Sequence, residues 1–213
     1  MMRVDQNSKL DSALSKGALS ILGAAVPLFA EKGFSAVSIN DIALQANTSK
    51  ANIFHHFKSK KGLYIAVMKS ACRHFAQVLD KVELVDNDSP QKKLETFFTL
   101  HLQSLQAHPQ SARLIQHELL ENESQRGKHL AEEVFSKHFT RLVELVREGQ
   151  SQDWLRKDCD TSLMAFVLVA TNIFFFESRS VLQHLPEVNF AESPDRYNSA
   201  VFKLLLNGFQ KES

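Results

Sequence analysis

Cysteine is nearly absent: Cys72 and Cys159 are the only two in 213 residues. Two isolated thiols give neither a disulfide framework nor a zinc-ligand spacing, so the fold must rest on its apolar core. Both are expected to be small packing residues within helices. Glycine and proline are also scarce, at seven and five. With the long apolar periodicities, that scarcity argues for an all-α chain. The N-terminal stretch MMRVDQNSKLDSALSK lacks the apolar segment of a signal peptide. The longest apolar run, Leu163 to Phe176, has 14 residues and includes Thr171 and Asn172, against about 20 for a membrane span. It reads as a buried helix, and the protein as cytoplasmic with no membrane partner. There is no internal repeat and no low-complexity segment.

Enzyme signatures are missing as well. His117-Glu118-Leu119-Leu120-Glu121 lacks the second histidine of a zincin. No glycine-rich phosphate loop or nucleophile elbow occurs, and the nine histidines are scattered. No catalytic residue, cofactor or metal site is expected. The formal net charge of +1 says nothing about partners, but its distribution does. Residues 1–64 hold eight Lys/Arg against four Asp/Glu, and residues 65–213 hold 17 against 20. A basic N-terminal module on a mildly acidic body fits phosphate contact at one end.

What is present is the stretch SINDIALQANTSKANIFHHF, Ser38 to Phe57. Ser38 and Asp41 have the spacing of a capping box, and Ile39, Ile42, Ala43 and Ala46 share one face of a short helix. Asn47 can adopt the left-handed backbone of a tight turn. Ser49 can cap a second helix, from Lys50 to about His56, with Ala51, Phe54 and Phe57 expected inward. Lys50, Asn52, His55 and His56 then face outward. Two short helices on a tight turn are the pattern of a helix-turn-helix, whose second helix enters the DNA major groove. Asn52 suits adenine and Lys50 suits guanine or phosphate. His55 and His56 can reach phosphates or bases. Ser38, Thr48 and Ser49 can bond phosphate oxygens from the groove rim, and the two serines also cap helices.

The flanks extend the pattern. Ile21-Leu22, Ala24-Ala25, Leu28-Phe29, Gly33-Phe34, Ile42-Ala43, Ser49, Phe54, His56-Phe57, Ser59-Lys60 and Leu63-Tyr64 lie in one segment, Ile21 to Met68. With this spacing the segment resembles the DNA-binding domain of the TetR/AcrR family of bacterial transcriptional regulators. The resemblance implies that Lys60, beside a helix start, touches a phosphate and that His56 contacts the backbone. Three lysines around that helix N-terminus also fit an anion site on physical grounds. Four positions depart from the family pattern: Pro27 within helix one, Ser20 where a basic residue is common, and Asn47-Thr48 in place of a Gly-Val turn.

The expected architecture is an N-terminal three-helix helix-turn-helix domain, residues 1–62 with a core of about 11–57, and a C-terminal helical bundle, 63–213, for ligand binding and dimerisation. Helix one is expected from about Asp11 to Lys32, kinked near Gly23 to Pro27 and ended by a left-handed Gly33. Asp86 to Asp88 reads as a loop, and Asn122 to Gly127 as a further turn. The last two helices are the expected homodimer face, because Phe174, Phe175 and Phe176 point in three directions around one helix. Phe97, Phe98, His101, Phe135, Phe139, Phe166 and Asn172 are candidates to line an apolar effector cavity. The function implied is a dimeric repressor of a palindromic double-stranded DNA operator, released by a small hydrophobic ligand. The alternative is an architectural or protein-recruiting DNA binder without a ligand.

Overall fold

The computed structural model describes residues 15–84, 89–121 and 124–209. The expected start of helix one at Asp11, the Asp86 to Asp88 loop and the Asn122 part of the next turn lie outside them. Ten α-helices order the described residues, with no β-sheet among them: α1 Lys16–Ala36, α2 Ile39–Gln45, α3 Lys50–Phe57, α4 Lys60–Glu83, α5 Pro90–Ala107, α6 Pro109–Glu121, α7 Ser124–Leu130, α8 Ser136–Ser151, α9 Thr161–Leu182 and α10 Pro194–Phe209. A π-helical turn, Ala131–Phe135, carries α7 into α8.

The helix starts follow from side-chain caps. Ser15, Ser38, Ser49, Ser89 and Asp160 each accept a bond from a backbone N–H three residues on, satisfying one orphan donor of the first turn. Pro90 adds a pre-set φ at the start of α5. Inside α1 the dihedrals stay helical through Gly23 and Pro27, so the helix runs on past the proline without interruption. Gly23 is exposed, which lets water take the carbonyl that Pro27 leaves unpaired. The one non-helical residue is Gly33, at φ 73° and ψ 175°. This is the glycine-only extended region rather than the left-handed helical one.

The chain forms two compact units: residues 1–73 with 109–134, and residues 74–108 with 135–213. The packing thus divides within α4, a different partition from a sequence boundary at 62/63. In the first unit α1 packs along α6 and against α2 and α3. Ile21, Leu22, Ala25, Phe29, Ile42, Ile53, Leu63, Tyr64, Met68 and Leu114 are buried there. The core of the second unit includes Leu79, Leu94, Phe97, Phe98, Leu142, Val146, Met164, Leu168, Phe175 and Phe202. Cys72 is buried, and burial pushes its thiol up to about 12.

Both α1 and α9 are long and apolar enough to cross a membrane by length and composition alone. The run from Leu163 lies within this 22-residue α9, so helix length does not exclude a span as run length had.

Candidate nucleic-acid interface

The turn between α2 and α3 is a Schellman motif. Thr48 N–H reaches back to Ala43 O at 2.9 Å and Asn47 N–H to Leu44 O at 3.1 Å, while Asn47 sits at φ 47°. These bonds satisfy carbonyls that the end of α2 would otherwise leave orphaned. Ser38 and Asp41 close the other end of α2 in a reciprocal capping box. Ser38 Oγ donates to Asp41 Oδ2 at 2.7 Å, and the backbone N–H of Ser38 donates to the same oxygen at 2.9 Å. These bonds hold the Asp41 carboxyl below its ordinary range.

The phase of α3 differs from the sequence expectation. Ile53 and Phe57 are buried, whereas Ala51 is exposed and Phe54 is 42% exposed. Lys50, Ala51, Phe54 and His55 therefore lie on the open side, with Asn52 and His56 half-buried at its edge. Asn52 Nδ2 donates to Thr48 Oγ1 at 2.9 Å. An amide nitrogen has two protons, so one donor and Oδ1 stay available, the couple that adenine's major-groove edge matches. Thr48 thereby orients Asn52.

Ser49 caps α3 through Asn52 N–H at 3.1 Å. The His55 and His56 rings meet edge-on at 5.2 Å. Lys58 takes φ 65° and ends α3, with its Nζ on His55 O at 3.0 Å. Lys60 bends away from this group: its Nζ donates to Ser35 O at 3.3 Å and sits 4.4 Å from the centre of the Phe34 ring. Desolvation, with Arg126 nearby, lowers its ammonium pKa.

Ser38, Thr48, Ser49, Lys50, Asn52, His55 and His56 thus belong to one compact helix pair, and Lys60 is drawn toward the end of α1. Sequence reasoning missed the start of α1. A Cβ on Gly17 would lie 3.5 Å from His56 Nε2 and 4.0 Å from Asn52 Nδ2, so this first turn borders the recognition helix. The available signal was Ser15-Lys16-Gly17, a cap followed by a cation and the smallest residue.

Behind the helix-turn-helix lies a buried ionic group. Tyr64 Oη donates to Glu118 Oε2 at 2.6 Å, and Arg126 Nε donates to Glu118 Oε1 at 2.7 Å. Arg126 also pairs with Glu121 and lies 5.0 Å from the centre of the Phe34 ring. Burial and Glu118 hold the Tyr64 hydroxyl protonated.

Of the residues expected to line an effector cavity, Phe97, Phe98, His101 and Asn172 are buried in the second unit. Phe135 is half-buried. Phe139 and Phe166 depart from that expectation: they are 36% and 58% exposed, because they lie on outward faces of α8 and α9.

A capped helix, a tight αL turn and a second helix whose open side carries Lys50 and His55 beside Ala51 and Phe54 define a helix-turn-helix DNA-binding protein. Residues 21–67 match the family described as bacterial regulatory proteins, tetR family, and residues 90–200 match the tetracyclin repressor-like C-terminal domain. The chain belongs to the tetR family of transcriptional regulators. It is 26% identical over 201 residues to the HTH-type transcriptional repressor NicS of Pseudomonas putida, covering 90% of this chain and 92% of that one. It is 30% identical over 117 residues to the regulator RutR of Escherichia coli, over 55% of this chain, and the match spans only 54% of RutR's length. Among solved structures, the fatty acid degradation regulator FadR from Bacillus halodurans superposes with a TM-score of 0.72 at 21% identity, over 92% of this chain and 97% of that one. The ketosteroid transcriptional regulator KstR2 of Mycobacterium tuberculosis gives 0.61 at 20% identity, over 93% and 97%.

Proposed function

We propose that this chain is a cytoplasmic, homodimeric repressor that reads a palindromic operator through α3 and is released by a small hydrophobic effector. The observation that carries the reading is the Asn52–Thr48 bond. It holds a base-reading carboxamide in place before DNA arrives, which lowers the ordering cost of binding. In this reading Asn52 and Lys50 face bases, while Ser38, Thr48, Ser49, His55, His56 and Lys60 serve the phosphates and the groove rim. Lys60 does so after leaving Ser35 and Phe34. Residues 1–62 form the DNA-binding domain and 63–213 the effector and dimer domain.

Support for a dimer comes from α9 and α10. Leu163, Phe166, Phe174 and Val181 recur along α9 at helical spacing, 58–72% exposed, and Leu204 is 69% exposed on α10. A row of that kind on a soluble chain marks an interaction face. NicS is named a repressor, and KstR2 and FadR are named for ketosteroid and fatty acid regulation. Those names favour an apolar effector here.

The test is selection of bound DNA from a random pool at physiological salt. A palindrome with half-sites about one helical turn apart is expected. Asn52→Ala should relax one base position in each half-site, while Lys60→Ala should weaken all sites alike and flatten the salt dependence by roughly one charge. Sequence-blind binding alone would reject operator recognition.

A further inference from the structure

Asn172 and His101 form a polar couple inside the second unit. Asn172, on α9, has no exposure, and His101, on α5, has 3%. Asn172 Nδ2 donates to Phe98 O at 2.8 Å and lies 3.4 Å from His101 Nδ1. A carbonyl at 2.8 Å requires a donor, so the orientation of the carboxamide is fixed. Its Oδ1 is sheltered from solvent and accepts no hydrogen bond. Nδ1 of His101 faces the amide N–H, so the ring proton belongs on Nε2. That nitrogen has no hydrogen-bond acceptor among the described residues. The rings of Phe97 and Phe75 flank the imidazole at 5.5 and 5.3 Å.

Native interiors rarely leave such groups unmade. Elsewhere in this unit the buried nitrogens His138 Nδ1 and Trp154 Nε1 also lack a hydrogen-bond partner, whereas the buried amides Gln150 and Asn198 spend their bonds within the protein. Gln150 bonds Arg156 O, Cys159 O and Thr161 Oγ1, and Asn198 bonds Thr99 Oγ1 and Phe98 O. No buried lysine or arginine belongs to this unit among the described residues. One acceptor and one donor, on adjoining side chains in an aromatic setting, thus stay open.

We propose that this couple is the recognition point for the effector and selects an uncharged, mostly apolar molecule that ends in a hydroxyl or a primary amide. The ligand's O–H or N–H donates to Asn172 Oδ1, and its oxygen accepts from His101 Nε2–H. A carboxylate in the same place would bring an anionic oxygen against Oδ1 with no cation to balance it. The inference rests on the effector-responsive reading above.

The experiment is calorimetric titration of the full-length protein with 1-octanol, octanamide and octanoate. An octyl chain is flexible enough to follow the shape the interior offers. The neutral probes should bind at least about tenfold more tightly than octanoate, the scale of one differential hydrogen bond. Asn172→Leu should abolish that preference, and His101→Phe should diminish it. In the wild-type protein the Asn172 side-chain amide resonance should move with octanol or octanamide and not with octanoate, a readout that needs no variant to fold. Equal binding of all three probes, no binding of any, or a preference that survives in Asn172→Leu would overturn the proposal. Operator selection is read separately: a palindrome recovered from a protein that binds no probe keeps the DNA reading and removes this one.

Discussion

Two glycine-to-alanine changes should move stability in opposite directions. A Cβ on Gly62 would lie 2.1 Å from the backbone oxygen of Phe57, the last residue of the recognition helix. Real Cβ–oxygen contacts stay beyond 3.0 Å, so the corner between α3 and α4 must open by about 1 Å, an overpacking of the kind that costs about 1–3 kcal/mol. Alanine's better helix propensity returns about 0.8–1 kcal/mol. The net expectation for Gly62→Ala is a loss of up to about 2 kcal/mol, together with weaker operator binding because the end of α3 shifts. Gly23 in α1 stays helical, and a Cβ added there would meet nothing within 4 Å. Gly23→Ala should therefore stabilise by about 0.4–1 kcal/mol. Urea unfolding of both variants at equal protein concentration measures the pair, and the protein concentration is fixed because the proposed dimerisation would make the midpoint depend on it. If Gly62→Ala gained stability as Gly23→Ala does, the close approach between α3 and α4 would not be real.

Arg126→Met should destabilise by about 3–5 kcal/mol, since it leaves the buried Glu118 carboxylate unbalanced. Tyr64→Phe removes only the hydroxyl bond and should cost about 1.5–3 kcal/mol. Urea midpoints in that order are expected, and equal midpoints would deny the ionic group its buried character. His101 predicts a pH dependence. Burial lowers its pKa from 6.5 to about 4, so between those values the unfolded chain binds the proton and the folded chain does not. Stability should fall as pH drops through this window, by about 3 kcal/mol in all. His101→Leu should remove that part of the slope, and slopes identical to the wild type's across the upper part of this window would refute the assignment.

The caps and the turn were legible because they are local. Ser38 with Asp41, Ser49 and Asn47 act within a few residues of themselves, and each takes the expected role. The phase of α3 was not legible. Apolar residues at 51, 53, 54 and 57 fit two faces of an eight-residue helix, and only packing against the rest of the first core selects Ile53 with Phe57. Gly33 shows the same limit: the sequence marks a glycine-dependent stop, but neither its ψ of 175° nor the closeness of α6. A Cβ there would meet His117 and Glu121. No periodicity relates Tyr64 to Glu118, 54 positions away, or to Arg126 beyond it. Phe139 and Phe166 turn outward while Phe97 and Phe98 turn inward, because an aromatic side chain in the sequence does not reveal which way its helix is turned.

The first packing unit also makes a claim about folding that the sequence boundary at 62/63 does not. Its core is completed by α6, α7 and the π-helical turn, which bring the buried side chains Leu114, Leu130 and Val134. At about 1.5–3 kcal/mol for each buried aliphatic side chain, these alone contribute about 5–9 kcal/mol, comparable to the whole stability of a typical domain of about 5–15 kcal/mol. Without this segment the Tyr64 hydroxyl and the surface beside Gly33 also lose their partners. A fragment of residues 1–73 should therefore be largely unfolded in dilute buffer, although it contains the entire helix-turn-helix. Hydrogen exchange would read this directly, with the amides of α2 and α3 protected in the intact protein and exchanging near the unprotected rate in the fragment. Equal protection in both would mean that α6 and α7 only rest on a module that folds alone. Loss of protection would mean that a displacement of α6 and α7 acts on the same core that sets the angle of the recognition helix.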